Sequence, residues 1–267
     1  MADRGPRSRV IPIAAVLLLA VVAGDLARRA LVRPAAPSGA ISPRAAAVPD
    51  SAAGRAASAA GDRGVAASAA LTAPLDDATR TAALQRIDRD GADTYLPAML
   101  SADDSALHRW SDDRAERPVR VAVLRDAVPG FHDTFFANVG WAITRWNAVG
   151  LPIYLEQVAD TAGADIVLTW ADRLDSNRTG RADVTWGRSG WLVHVHVTLA
   201  THTPDGREVT PREMVALALH ELGHALGLGH SPLVADALYP ETSAADLTAR
   251  DRRTALLLYA LPPGSLK

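Results

Sequence analysis

Residues 106–267 predict an α+β domain. Segments with strand periodicity gather around one early helical pattern. A longer, more apolar helix follows them and runs straight into a histidine-rich glycine turn, and a last amphipathic helix comes after that turn. No internal repeat suggests any other architecture.

The elements follow in order. Pro118–Leu124 alternates apolar and polar residues, as a half-buried strand does. Phe131–Asn147 places Phe135, Val139, Ala142, Ile143 and Trp146 on one helical face, with Gly150 just beyond its end. These aromatics read as core packing. Leu151–Val158 and Ala164–Trp170 read as two further strands, the second a continuous apolar run. Arg181–Trp186 and Trp191–Leu199 make another pair, separated by the turn signal Gly187-Arg188-Ser189-Gly190. Thr210-Pro211-Arg212-Glu213 is a capping box with proline at the first helical position, so a helix runs from Pro211 to Leu226. It is apolar on most sides and should be buried. Leu247–Tyr259 is the final helix, closed by Leu261-Pro262-Pro263-Gly264.

The stretch His220-Glu221-Leu222-Gly223-His224-Ala225-Leu226-Gly227-Leu228-Gly229-His230 carries the chemistry. His220 and His224 lie four apart, so a helix presents both imidazoles on one face. Glu221 stands beside them and can reach a metal-bound water without being a ligand. Gly227 tolerates the left-handed backbone that reverses the chain, and His230 returns as a third ligand. Three histidines leave one position of a tetrahedral zinc for water, the arrangement of a catalytic site. An ordinary amphipathic helix would not put Glu221, Gly227 and His230 in register with both histidines.

His220–Pro240 resembles the metzincin clan of zinc peptidases, and most closely its matrixin branch. The resemblance extends over roughly Arg109–Pro263. It implies a zincin fold: a twisted, mostly parallel five-stranded sheet with an antiparallel edge strand, an active-site helix and a C-terminal helix. The cleft would lie along the edge strand near Arg181–Trp186, which would pair with an extended polypeptide substrate. Asp236-Ala237-Leu238-Tyr239-Pro240 resembles the turn that in this clan carries methionine beneath the metal, but here the position is Leu238. The methionines are Met1, Met99 and Met214, and none falls in the turn. Leucine for methionine roughly conserves volume, so zinc binding should survive. Tyr239 is expected to be structural, near the wall of the specificity pocket with Pro240.

The resemblance also raises a second, structural metal, zinc or calcium. His194 and His196 point to one face of a strand, with Asp172, Asp175 and His202 nearby, but the matching His-x-Asp is absent. Exposed-face histidines are the preferred reading, and Asp172–Asp175 lacks the ligand spacing of a calcium loop. His108 and His132 have no companions and are expected at the surface. Asn177-Arg178-Thr179 is formally a glycosylation sequon.

Arg4, Arg7 and Arg9 precede the apolar run Val10–Gly24, which suits a signal peptide and is short for a membrane span. Residues 1–33 are therefore expected to be a signal peptide or a signal anchor, placing the domain outside the cytoplasm. Membrane contact is expected only through such an anchor. Residues 34–70 form an Ala/Ser/Gly/Pro-rich linker. Residues 71–105 are expected to be a short helical propeptide or connector. A net charge of −2 offers no nucleic-acid footprint, and the domain is expected to be monomeric. The chain has no cysteine, so packing and metal must hold it, and no thiolate can silence the metal.

The expectation that follows is an endopeptidase with one catalytic zinc on His220, His224 and His230. The metal would bring its water's pKa toward ~7, and Glu221 would be the general base. The same ligand set would serve a zinc hydrolase of a non-protein amide, such as a cell-wall peptide, and Leu238 keeps open a catalytically weak peptide-binding module.

Overall fold

The computed structural model describes residues 65–68, 72–102, 105–125, 128–175 and 177–267, all within one compact unit. The expected signal segment 1–33, and the linker 34–70 apart from Val65–Ser68, lie outside the described residues. Among the described residues no helix is long and apolar enough to cross a membrane.

The main sheet contains the five expected strands. β3 (Val119–Val123), β4 (Leu155–Val158), β5 (Ile166–Ala171), β6 (Gly180–Trp186) and β7 (Leu192–Ala200) stand in the order β6-β7-β5-β3-β4. All neighbours are parallel except β6 and β7, which pair antiparallel through the turn at Gly187–Gly190. Gly190 has φ +83° in that turn, where a Cβ would also meet the backbone of Leu107 and Gly264. Strand periodicity sets the buried face: Ile166, Leu168 and Trp170 of β5 point inward with Val195, Val197 and Leu199 of β7.

A sixth strand was not anticipated. β1 (Val65–Ser68) pairs parallel with β6, outside the expected sheet edge. An edge strand offers unpaired N–H and C=O groups, and this segment of the chain pairs with them.

The helices follow their sequence signals. α3 (Asp133–Asn147) buries Phe135, Val139, Ala142, Ile143 and Trp146, the face read from the sequence. It packs on α4 (Pro211–Ala225), and the Trp146 indole N–H donates to the carbonyl of Leu219 at 3.0 Å. The capping box of α4 is complete, since Thr210 accepts from the Glu213 N–H and Glu213 accepts from the Thr210 N–H. Such a cap contributes about 1 kcal/mol. A second capping box, Thr248 with Asp251, starts α5 (Ala249–Tyr259).

The boundary expected at residue 106 does not divide the structure. α1 (Asp77–Asp90) and α2 (Leu96–Ala102) precede it, yet Tyr95, Leu96, Met99 and Leu100 are buried in the same core as the sheet. The Tyr95 N–H donates to Thr254 Oγ1 of α5. Ala73 and Leu75 hydrogen-bond Ser265, and β2 (Ala106–Leu107) pairs with β8 (Gly264–Ser265). Apolar residues spaced along α1 and α2 need burial, and the C-terminal body provides it.

Candidate metal centre

α4 delivers His220 and His224 from its last turns, and both are buried. Leu226 caps the helix, and Gly227 then takes φ +95°. A side chain there would also strike the carbonyl of His108, so only glycine fits. The reversal brings His230 back, and the imidazole nitrogens of the three residues all lie within 4.8 Å of one another.

Each helix histidine is oriented by its other nitrogen. His220 Nδ1–H donates to the carbonyl of Ala237, and His224 Nδ1–H to that of Leu228, both at 2.8 Å. Their Nε2 atoms consequently face each other at 3.0 Å with lone pairs free for a metal. Burial pushes the His220 imidazole down to about 4, and holds His224 well below its ordinary range with the neighbouring histidines adding to the effect. Both rings are therefore neutral, as metal ligation requires. The donor set and the convergence fit a single zinc.

Glu221 is 3% exposed, and its carboxylate rests against the backbone of Gly180, the first residue of β6. No described residue hydrogen-bonds its Oε2. Burial pushes the carboxyl up to about 8, against the pull of Arg178. A cavity of about 300 Å³ opens beside His220, Glu221 and His230, with Arg178, Leu217 and Pro240 in its wall.

Leu238 is wholly buried under α4, its two methyl carbons within van der Waals reach of Gly223, between the first two ligands. It packs on α4 from the turn position where the resemblance places methionine. The turn itself is held from α5. Asp251 Oδ2 accepts from the N–H of Ala237 at 3.0 Å and from that of Thr248 at 2.8 Å. Asp236, in the same turn, takes Arg250 Nε at 2.9 Å and the Thr248 hydroxyl at 2.8 Å. A continuous path therefore links Asp251 through the N–H and the carbonyl of Ala237 to the His220 ring. Sequence reading missed Asp251, although Thr248-x-x-Asp251 is the spacing of a capping box. Gly180 gave no signal. Met99 gave none either: its sulfur accepts from the Gly229 N–H, next to His230, at 2.8 Å.

The other candidates stay apart. Among the described residues, His220, His224 and His230 are the one group able to hold a metal together. His194 is exposed, His196 bonds Thr169 Oγ1, and Asp172 pairs with His202 at 2.7 Å. His132 is exposed ahead of α3. His108 is not the surface residue expected: it is partly buried, stacked on Trp186 with ring centres 4.1 Å apart and bonded to Thr72. An aromatic platform on β6 and a hydroxyl on the preceding segment give it a buried seat.

Residues 131–260 match the family model of the M10 peptidases described as Matrixin. Over those residues the chain is similar to a matrixin metallopeptidase domain, and its α+β fold is consistent with that family. A search of the curated proteins finds no match.

Proposed function

We propose that the protein is a zinc-dependent endopeptidase in which His220, His224 and His230 hold the metal and Glu221 is the general base. One observation carries the reading: three imidazoles converge beside a buried carboxylate whose Oε2 has no hydrogen bond among the described residues. Zinc held there supplies Lewis acidity and brings water's pKa toward ~7. Glu221 takes the proton of the attacking water as the water oxygen bonds to the scissile carbonyl carbon. It then passes that proton to the departing amine nitrogen, and the C–N bond breaks.

The substrate lies extended along β6, whose first residue, Gly180, adjoins the cavity. The protein acts as a monomer outside the cytoplasm, secreted, periplasmic or anchored, a reading supported by Arg4, Arg7 and Arg9 ahead of Val10–Gly24. The test is zinc content together with cleavage of a mixed peptide library by the full chain and by Glu221→Gln. One zinc in both proteins with cleavage only in the first is expected. Turnover retained by Glu221→Gln would overturn the assigned roles, and zinc without any cleavage would favour a non-protein amide or a binding module.

A further inference from the structure

Two side chains from the N-terminal part of the fold reach the metal centre from opposite sides. Tyr95, just ahead of α2, is 1% exposed, and Asp251 of α5 is fully buried beside it. The Tyr95 hydroxyl and Asp251 Oδ1 have no hydrogen bond among the described residues. Each is what the other lacks, since a phenol O–H donates and a carboxylate oxygen accepts. Burial pushes the Tyr95 phenol well above its ordinary range, and the charge of Asp251 adds to the effect, so the proton stays on the phenol. The other oxygen of that carboxylate holds the Ala237 N–H, and the Ala237 carbonyl takes the His220 Nδ1–H. Arg250, paired with Asp236 of the same turn, lies over the Tyr95 ring at 5.6 Å from its centre.

Met99 stands one helical turn after Tyr95, its N–H bonded to the Tyr95 carbonyl at 2.9 Å, so one face of the helix presents both side chains. The Met99 sulfur accepts from the Gly229 N–H at 2.8 Å, and His230 is the next residue. This contact holds the return that delivers the third ligand. The segment that carries both residues is itself bound to the C-terminal body. The Tyr95 N–H donates to Thr254 Oγ1 at 3.1 Å, and Arg253 Nε donates to the Asp93 carbonyl at 3.3 Å. Further back, the Leu75 N–H donates to the Ser265 carbonyl and the Ser265 N–H to the Ala73 carbonyl, both at 3.0 Å.

We propose that α2 is a lasting part of the metal centre, with Tyr95 and Met99 as positioning residues, Tyr95 for His220 and Met99 for His230. The inference rests on the reading of the three histidines as a zinc site. It decides between the two roles open to residues 71–105: they are a connector kept in the active enzyme and not a propeptide shed from it. A chain that began at residue 106 would leave Asp251 Oδ1 facing an empty place and the Gly229 N–H without its acceptor. Buried polar groups stripped of their partners loosen what they hold, and here they hold the carbonyl that orients one ligand and the turn that delivers another.

The test compares the full chain with Tyr95→Phe, Met99→Leu and the double variant, substitutions that roughly keep volume and remove only the polar contact. Leu100→Ala, a core residue of the same helix outside these contacts, is the control. Zinc affinity is measured by chelator competition at a temperature where each metal-free protein is folded. The visible spectrum of the cobalt-substituted protein reports the geometry of the ligands. The double variant should bind zinc about 10-fold more weakly and show a shifted cobalt spectrum. Leu100→Ala should lower the melting temperature and keep both. An unchanged affinity and spectrum in the double variant would overturn the positioning roles. So would an equal loss in Leu100→Ala, which would make the effect one of stability alone. Should the double variant fail to fold, the single variants carry the same comparison. Mass spectrometry of the mature, zinc-bearing protein should place its amino terminus ahead of Thr72, and a zinc-bearing protein that cleaves peptide and begins near residue 106 would overturn the connector. A wild-type chain that takes up neither zinc nor cobalt would instead count against the metal site, and the inference would fall with it.

Discussion

The carboxylate of Glu221 occupies the space that a methyl group on Gly180 would need: a Cβ there would lie 2.3 Å from Oε1. The general base of the proposed mechanism is therefore seated by the first residue of the substrate strand. Gly180→Ala should displace Glu221 and lower kcat by about 10²-fold, within the range that general base catalysis supplies. Zinc content should not change. Metal analysis beside steady-state kinetics checks this, and an alanine variant with normal kcat would show that the carboxylate need not sit there.

Leu238 fills the floor beneath Gly223, so the departure from methionine should be nearly silent. Leu238→Met is expected to alter stability by less than ~1.5 kcal/mol and to keep one zinc per chain. Leu238→Ala opens a cavity and should cost about 2–5 kcal/mol, with faster zinc release. Denaturant melts and transfer of zinc to a chelating dye measure the two effects.

Asp251 is the anchor of the metal turn, although it touches no ligand. Asp251→Ala leaves the N–H groups of Ala237 and Thr248 without their acceptor. Zinc affinity should fall about 10-fold or more as the His220 acceptor loosens, the scale on which outer partners act on a metal site. Competition with a chelator of known affinity gives the number, and wild-type affinity would break the proposed path.

His108 should give the stability a pH dependence of its own. Burial lowers its imidazole from 6.5 to about 4, so the folded protein favours the neutral ring. The unfolded chain binds the proton first as the pH falls. This contribution is whole above pH 6.5, shrinks between 6.5 and about 4, and changes no further below that. With zinc saturating throughout, His108→Gln should show a shallower loss of melting temperature across that window than wild type. Parallel curves would remove His108 as the cause.

The helices and the five-stranded sheet were legible because their signals are local. The Thr210–Glu213 box, the apolar face of α3 and the turn at Gly187–Gly190 each depend on residues close in sequence. The three histidines were legible for the same reason, lying within eleven residues of one helix and its return. Gly180 was not, because its role is set by a side chain forty-one positions away. Nor was the integration of α1 and α2: an amphipathic face shows that a helix wants cover, but not which surface provides it. Val65–Ser68 is an alanine-rich tetrapeptide with no apolar-polar alternation to announce a strand.

The path from Asp251 through Ala237 to His220 makes the last helix and the metal thermodynamic partners. Whatever tightens one must tighten the other by the same free energy. Zinc at a hundred times its dissociation constant adds about 2.7 kcal/mol to the folded state. Part of that reaches α5 through a single residue, Ala237. In surroundings poor in zinc, the C-terminal helix would fray sooner and the chain would be degraded faster. The supply of the metal would then set how long the enzyme lasts as well as how fast it works.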